Sequence, residues 1–153
     1  MHIARHATFA GWGTFFLRLA IGGVFIFSAV GKLLEPREEV LGAVRAFNLL
    51  PNPLDVWYAT LLPWVELLAG MMMVLGLYRR YAAVALLLLL LSFFIAIEHA
   101  RGSDDILAAC GCFGIFRIDE TLEEILARDV ILFLIAAWTL VSPKDRFALS
   151  DRL

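Results

Sequence analysis

The chain has 153 residues, 61% of them hydrophobic and only 18% charged, with a formal net charge of −2. Soluble domains run at roughly 45–50% apolar and 25% charged, so the apolar excess here, with a mean hydropathy of +0.83, is of membrane type. A pI near 5.9 without a basic stripe or recognition motif leaves no footprint for nucleic acid, and that class of function is excluded.

A bilayer core of ~30 Å needs about 20 apolar residues per helix, and four stretches come close. They predict an all-α, polytopic four-transmembrane-helix bundle in a single membrane domain over 1–153, surrounded by membrane lipid. The first span is about 11–34. Arg5 precedes it in a signal-like arrangement, but the apolar run is long, Arg18 interrupts it and no convincing small-residue cleavage site follows, so it reads as an uncleaved helix.

The second span is about 56–78. Pro63 removes a backbone donor three residues before Glu66, so a bend is expected there. Gly70 lies one turn beyond Glu66, and small residues at this spacing, with Gly22, Gly23 and Ser28 on the first helix, let helices approach closely. The run Met71-Met72-Met73 reads as packing filler or lipid-facing surface. Arg79-Arg80 forms a tight turn into the third span, about 81–100, which ends at Glu98 and His99. The fourth, about 122–142, starts at a capping box of Thr121 and Glu124 and stops before Pro143.

Arg18, Lys32 and Glu66 are the charges inside or at the rims of spans, where a charge must face the bundle interior and find a partner. At ~3.6 residues per turn, Arg18 and Lys32 lie within about 40° of each other on one helix face. At ~1.5 Å per residue, Arg18 lies about 9 Å and Glu66 about 18 Å from the same end, a gap an arginine side chain can cover. Arg18 is therefore the expected partner of Glu66, and Lys32 is expected to snorkel to the interface. Trp12, Tyr78, Tyr81 and Trp138 are expected at one interface, Trp57 and Tyr58 at the other.

An even number of spans puts both termini on one side. Basic residues are denser on the short connections of that side, which argues for cytoplasmic termini and for connections 35–55 and 101–121 facing the periplasm or cell exterior. The only two cysteines, Cys110 and Cys112, lie in the second of these. A disulfide at this spacing needs a sharp fold-back, because bridged Cα atoms normally sit ~4.4–6.8 Å apart; Gly111 permits it, and Gly114 adds a second pivot. Such a ring is expected to be strained, and strained, accessible disulfides are the ones that exchange. Their persistence requires an oxidising compartment. His99, at the start of this redox loop, is a candidate for stabilising a thiolate, and equally a polar interface residue.

The order of Arg18-Leu19-Ala20-Ile21-Gly22, Ser28-Ala29-Val30-Gly31-Lys32-Leu33, Leu49-Leu50-Pro51, Leu62-Pro63-Trp64-Val65-Glu66 with Gly70, and Cys110-Gly111-Cys112-Phe113-Gly114 resembles the MauE/DoxX-like family of bacterial membrane proteins, the MauE branch in particular. The resemblance implies a four-helix bundle of the inner membrane, related in architecture to quinone-linked disulfide enzymes. It also implies a role in forming disulfides in a partner protein, with Cys110 and Cys112 as the redox pair. The chain departs from those enzymes in carrying a CxC, not a CxxC, and no second cysteine pair.

Three readings compete. In the first, the chain is a thiol-disulfide oxidoreductase that exchanges with a periplasmic thioredoxin-like protein or disulfide client through a mixed disulfide. No covalently bound cofactor is expected; the candidate electron carrier is a quinone near Phe113 and Phe116. In the second, it is a non-catalytic membrane subunit of a larger respiratory or photosynthetic complex, its CxC stapling a loop. The third, a metal held by Cys110, Cys112 and His99, lacks the four-ligand closure of a structural zinc site, and no metal is expected.

Overall fold

The computed structural model describes residues 3–100 and 122–141, with side chains over 12–99 and 123–141. Among these residues the protein is all-helical. Its elements are α1 (Ile3–Leu34), α2 (Arg37–Ala46), α3 (Leu54–Leu75), α4 (Arg79–Ala100) and α5 (Leu122–Val141). Three segments, Trp12–Leu34, Leu54–Leu75 and Arg79–His99, are long and apolar enough to cross a membrane. The first half of α5 carries Glu123, Glu124, Arg128 and Asp129 and falls outside that set.

The expectation of a bare connection over 35–55 is corrected by α2. Pro36 occupies its N-cap position, Glu38 and Glu39 stand in its first turn and Arg45 in its last, charges that suit the helix dipole at both ends. Its polarity hides it from a search for apolar spans. Two polar links dock it on α3: Arg45 Nε donates to Asp55 Oδ2 at 2.6 Å, and Arg37 donates to Thr60 Oγ1 at 3.0 Å.

The second span also ends earlier than expected. Gly76 takes a left-handed conformation (φ 71°) and donates its N–H to the Met73 carbonyl, so α3 stops at Leu75. Arg79 and Arg80 consequently form the first turn of α4, not the connection. Within α3, Pro63 is buried and the helix continues through it.

α1 and α3 run antiparallel, with Gly22 against Gly70. A Cβ on Gly22 would meet Val74 Cγ2 at 2.5 Å and the Gly70 carbonyl oxygen at 2.8 Å; one on Gly70 would meet the Gly22 oxygen at 3.0 Å. Only glycine lets the two backbones come this near. Gly23 has nothing within 4 Å of its Cβ position and takes no part. The core grows outward from this contact through Ile21, Phe25, Met73, Leu86 and Leu90 to Leu132 and Ala136 of α5. On α5 the buried positions Ile125, Asp129, Leu132, Ala136 and Thr139 fall at alternating intervals of four and three, the seam of a helix packed along one side.

Met73 belongs to this core, whereas Met71 is exposed. Trp12, Trp57, Tyr78, Tyr81 and Trp138 are all exposed, as residues at an interface would be. Tyr58 is the exception to the expected belt: it is half-buried and shares a 2.9 Å hydrogen bond with Ser92 of α4.

Candidate functional site

The Gly22–Gly70 contact fixes the register of α1 on α3, and the register decides which charges meet. Lys32, in the last turn of α1, reaches Glu66 near the middle of α3, with Nζ 3.0 Å from Oε1 and 2.9 Å from Oε2. The ammonium also donates to Ser28 Oγ at 2.6 Å, one turn earlier on the same helix, and the Ser28 hydroxyl lies 3.3 Å from Glu66 Oε2 as donor. Glu66 is 0% exposed and Lys32 6%. The Phe93 ring of α4 stands 5.5 Å from Lys32 Nζ, within range of a cation–π interaction. A buried ion pair is tolerated where further hydrogen bonds satisfy both partners, which is what Ser28 supplies.

The expected Arg18–Glu66 pair and the snorkelling of Lys32 are thus both corrected. Arg18 is buried, but it donates from Nε to the Met73 carbonyl at 3.2 Å and from Nη2 to the Val74 carbonyl at 3.5 Å. These are among the last carbonyls of α3, at the negative end of its dipole, and the Met73 oxygen also accepts the capping N–H of Gly76. Opposite Met73 and Val74, Arg18 stands about two helical turns from Glu66 along α3, roughly 11 Å at 1.5 Å per residue. Lys32 is one turn beyond Ser28 and arrives from the other side.

A second polar pair lies beside this cluster. Arg128 of α5 holds Asp129 at 3.1 Å, and a small cavity of about 30 Å³ is lined by Ser28 and Phe93 together with these two residues. Sequence reasoning missed Asp129, buried at the edge of the apolar half of α5, and also missed Asp55, buried at the start of α3. Their signal was a carboxylate at a seam position with an arginine nearby.

Phe93 also lines a cavity of about 330 Å³ between α2, α3 and α4, with Lys32 at its wall. Its lining is otherwise almost wholly apolar, including Val44, Leu62, Phe93 and Ala96, with Tyr58 and Ser92 the exceptions. His99 is exposed in the last turn of α4, beside a half-buried Glu98. Cys110, Gly111, Cys112, Phe113, Gly114 and Phe116 lie outside the described residues. Among the described residues no three His, Cys, Asp or Glu side chains are grouped to hold a metal.

The family described as "Methylamine utilisation protein MauE" matches residues 10–142, which takes in the glycine contact, the buried ion pair and the CxC segment. The chain belongs to the MauE family. Its curated relatives include the methylamine utilization protein MauE of Methylophilus methylotrophus, 37% identical over 99 residues, covering 63% of this chain and 50% of the relative. The MauE of Methylorubrum extorquens is 37% identical over 88 residues, 56% of this chain and 46% of the relative. The chain spans about half the length of these MauE relatives. No solved structure matches it.

Proposed function

We propose that this MauE-family protein serves methylamine utilisation as a thiol-disulfide exchange component of the bacterial inner membrane. In this reading α5 makes a fourth crossing, both termini are cytoplasmic, and the CxC faces the periplasm. The observation that carries it is the pairing of a MauE match over 10–142 with the chain's only two cysteines, one residue apart within it. Two helix ends, that of α4 at Ala100 and that of α5 at Leu122, bracket the cysteine-bearing residues. Both helices are packed on each other and on the rest of the bundle.

The exchange runs in two displacements. A thiolate of a thioredoxin-like protein or client attacks one sulfur of a Cys110–Cys112 disulfide, forming a mixed disulfide and releasing the other cysteine as thiolate. The partner's second thiolate then displaces the remaining cysteine. Two electrons and two protons have moved from the partner's dithiol to the CxC, and the reverse sequence moves them back.

Trapping tests this reading. Removal of one thiol prevents internal resolution of the mixed disulfide, so Cys110→Ser or Cys112→Ser should accumulate a reducible complex with a soluble thiol protein in cells. Cys110→Ser is expected to trap more, leaving Cys112 beside Phe113-Gly114 as the attacked sulfur. Should neither variant trap a partner while the double Ser variant supports growth on methylamine, the protein is a non-catalytic subunit with a structural CxC.

A further inference from the structure

We infer that the 330 Å³ cavity between α2, α3 and α4 is the binding site for the ring of a lipid-soluble quinone. The inference rests on the exchange reading, because a CxC that takes two electrons from a partner must lose them again, and the chain has no second cysteine pair to receive them. A quinone supplies a two-electron, two-proton acceptor: dithiol plus quinone gives disulfide plus quinol. The cavity lies among the described helices, whereas Phe113 and Phe116, the location expected from the sequence, lie outside the described residues.

Three features of the cavity fit that ligand class. Its volume lies at the lower end of the ~300–1,000 Å³ of small-molecule pockets, room for one substituted ring and the start of a tail but not for a whole polyprenyl chain. Its wall is apolar, and Ile95, one of the lining residues, is about half exposed on a membrane-spanning helix, so a ligand can enter from the acyl-chain phase. Its polar groups are few and of complementary kind.

The polar groups can be assigned by their hydrogen bonds. Ser92 Oγ donates to the Leu89 carbonyl at 2.7 Å, which commits its proton. Tyr58 must then donate to Ser92 across their 2.9 Å contact, and the phenol oxygen keeps its lone pairs for a donor in the cavity. Lys32 contributes a positive charge, its protons engaged by Ser28 and Glu66. One acceptor and one cation in an apolar wall suit a ring bearing a hydroxyl donor and an electron-rich oxygen. An acyl chain would leave both without a counterpart.

The test uses the full chain in nanodiscs with decylubiquinone as ligand and an azido-quinone as photolabel. Saturable binding is expected, with label on peptides spanning Ser92–Ile97. Ala96→Trp, which fills the cavity, should raise the Kd at least tenfold, while Leu134→Trp on the exposed face of α5 should not change it. Tyr58→Phe, which keeps the shape and loses the acceptor, should weaken decylubiquinol more than an analogue without hydroxyls. Non-saturable partitioning overturns the inference, as does displacement of the label by palmitate, or an unchanged Kd in both Ala96→Trp and Tyr58→Phe. The double Cys110→Ser, Cys112→Ser variant separates the two readings. Binding by that variant together with failure of the parent to exchange disulfides removes the exchange reading and leaves the site; exchange without saturable binding does the reverse.

Discussion

Lys32 and Glu66 meet as a fully buried ion pair at 2.9 Å although 34 residues separate them in the chain, with Ser28 bonded to both. The pair joins the end of α1 to the middle of α3, with Lys32 at the wall of the 330 Å³ cavity. Breaking a buried pair strands a charge, at a cost of about 3–5 kcal/mol in soluble proteins, whereas replacing both partners by apolar groups is often neutral. Glu66→Gln or Lys32→Met alone should therefore lower thermal stability in detergent more than the double replacement Lys32→Met, Glu66→Leu. Additive losses in that cycle would contradict the pairing.

Arg18 provides the contrast. It bonds to the α3 carbonyls of Met73 and Val74, about two turns from Glu66. Arg18→Gln and Glu66→Gln should destabilise independently, their melting free energies adding within about 0.5 kcal/mol as for separate sites. A coupling well above that value would restore the direct pair.

The two adjacent glycines of α1 should respond oppositely. Gly22→Ala forces a Cβ into Val74 and the Gly70 carbonyl, and overpacking of this sort costs about 1–3 kcal/mol. Gly23→Ala meets nothing and gains helix propensity, so it should be neutral or stabilising by up to about 1 kcal/mol. Thermal melts of the two single variants decide it; equal losses would refute the register.

Much of the fold was legible because hydropathy and length report directly on burial in lipid. The apolar runs located α1, α3 and α4, and small residues at helical spacing pointed to Gly70 and to Gly22, Gly23 and Ser28, of which Gly22 makes the close approach to Gly70. What escaped depended on details that composition does not carry. The partner of Glu66 follows from the register of α1 on α3, which the Gly22–Gly70 contact sets and the bounds of the apolar runs do not give. α2 is polar and short, and its signals were the proline and charges at its termini. Tyr58 has the amphipathic character of an interface residue, and only the proximity of Ser92 turns it inward. The CxC, the most conspicuous chemical feature of the sequence, falls outside the described residues.

The topology is open to direct labelling. A membrane-impermeant maleimide added to intact spheroplasts after mild reduction should modify both Cys110 and Cys112. Modification only after lysis would put the cysteines on the cytoplasmic side, and with them the proposed encounter with a periplasmic partner would go.

The central claim is that the Cys110–Cys112 disulfide exchanges with a soluble dithiol. Purified oxidised protein is mixed with one equivalent of a reduced thioredoxin-like protein, quenched in acid, alkylated with a mass-tagged maleimide and weighed intact. The account predicts two tags gained by the membrane protein for every two lost by its partner, with none gained in the Cys110→Ser, Cys112→Ser double variant. A membrane protein that arrives as a free dithiol after oxidation, or a disulfide that stays closed while the partner stays reduced, would contradict it.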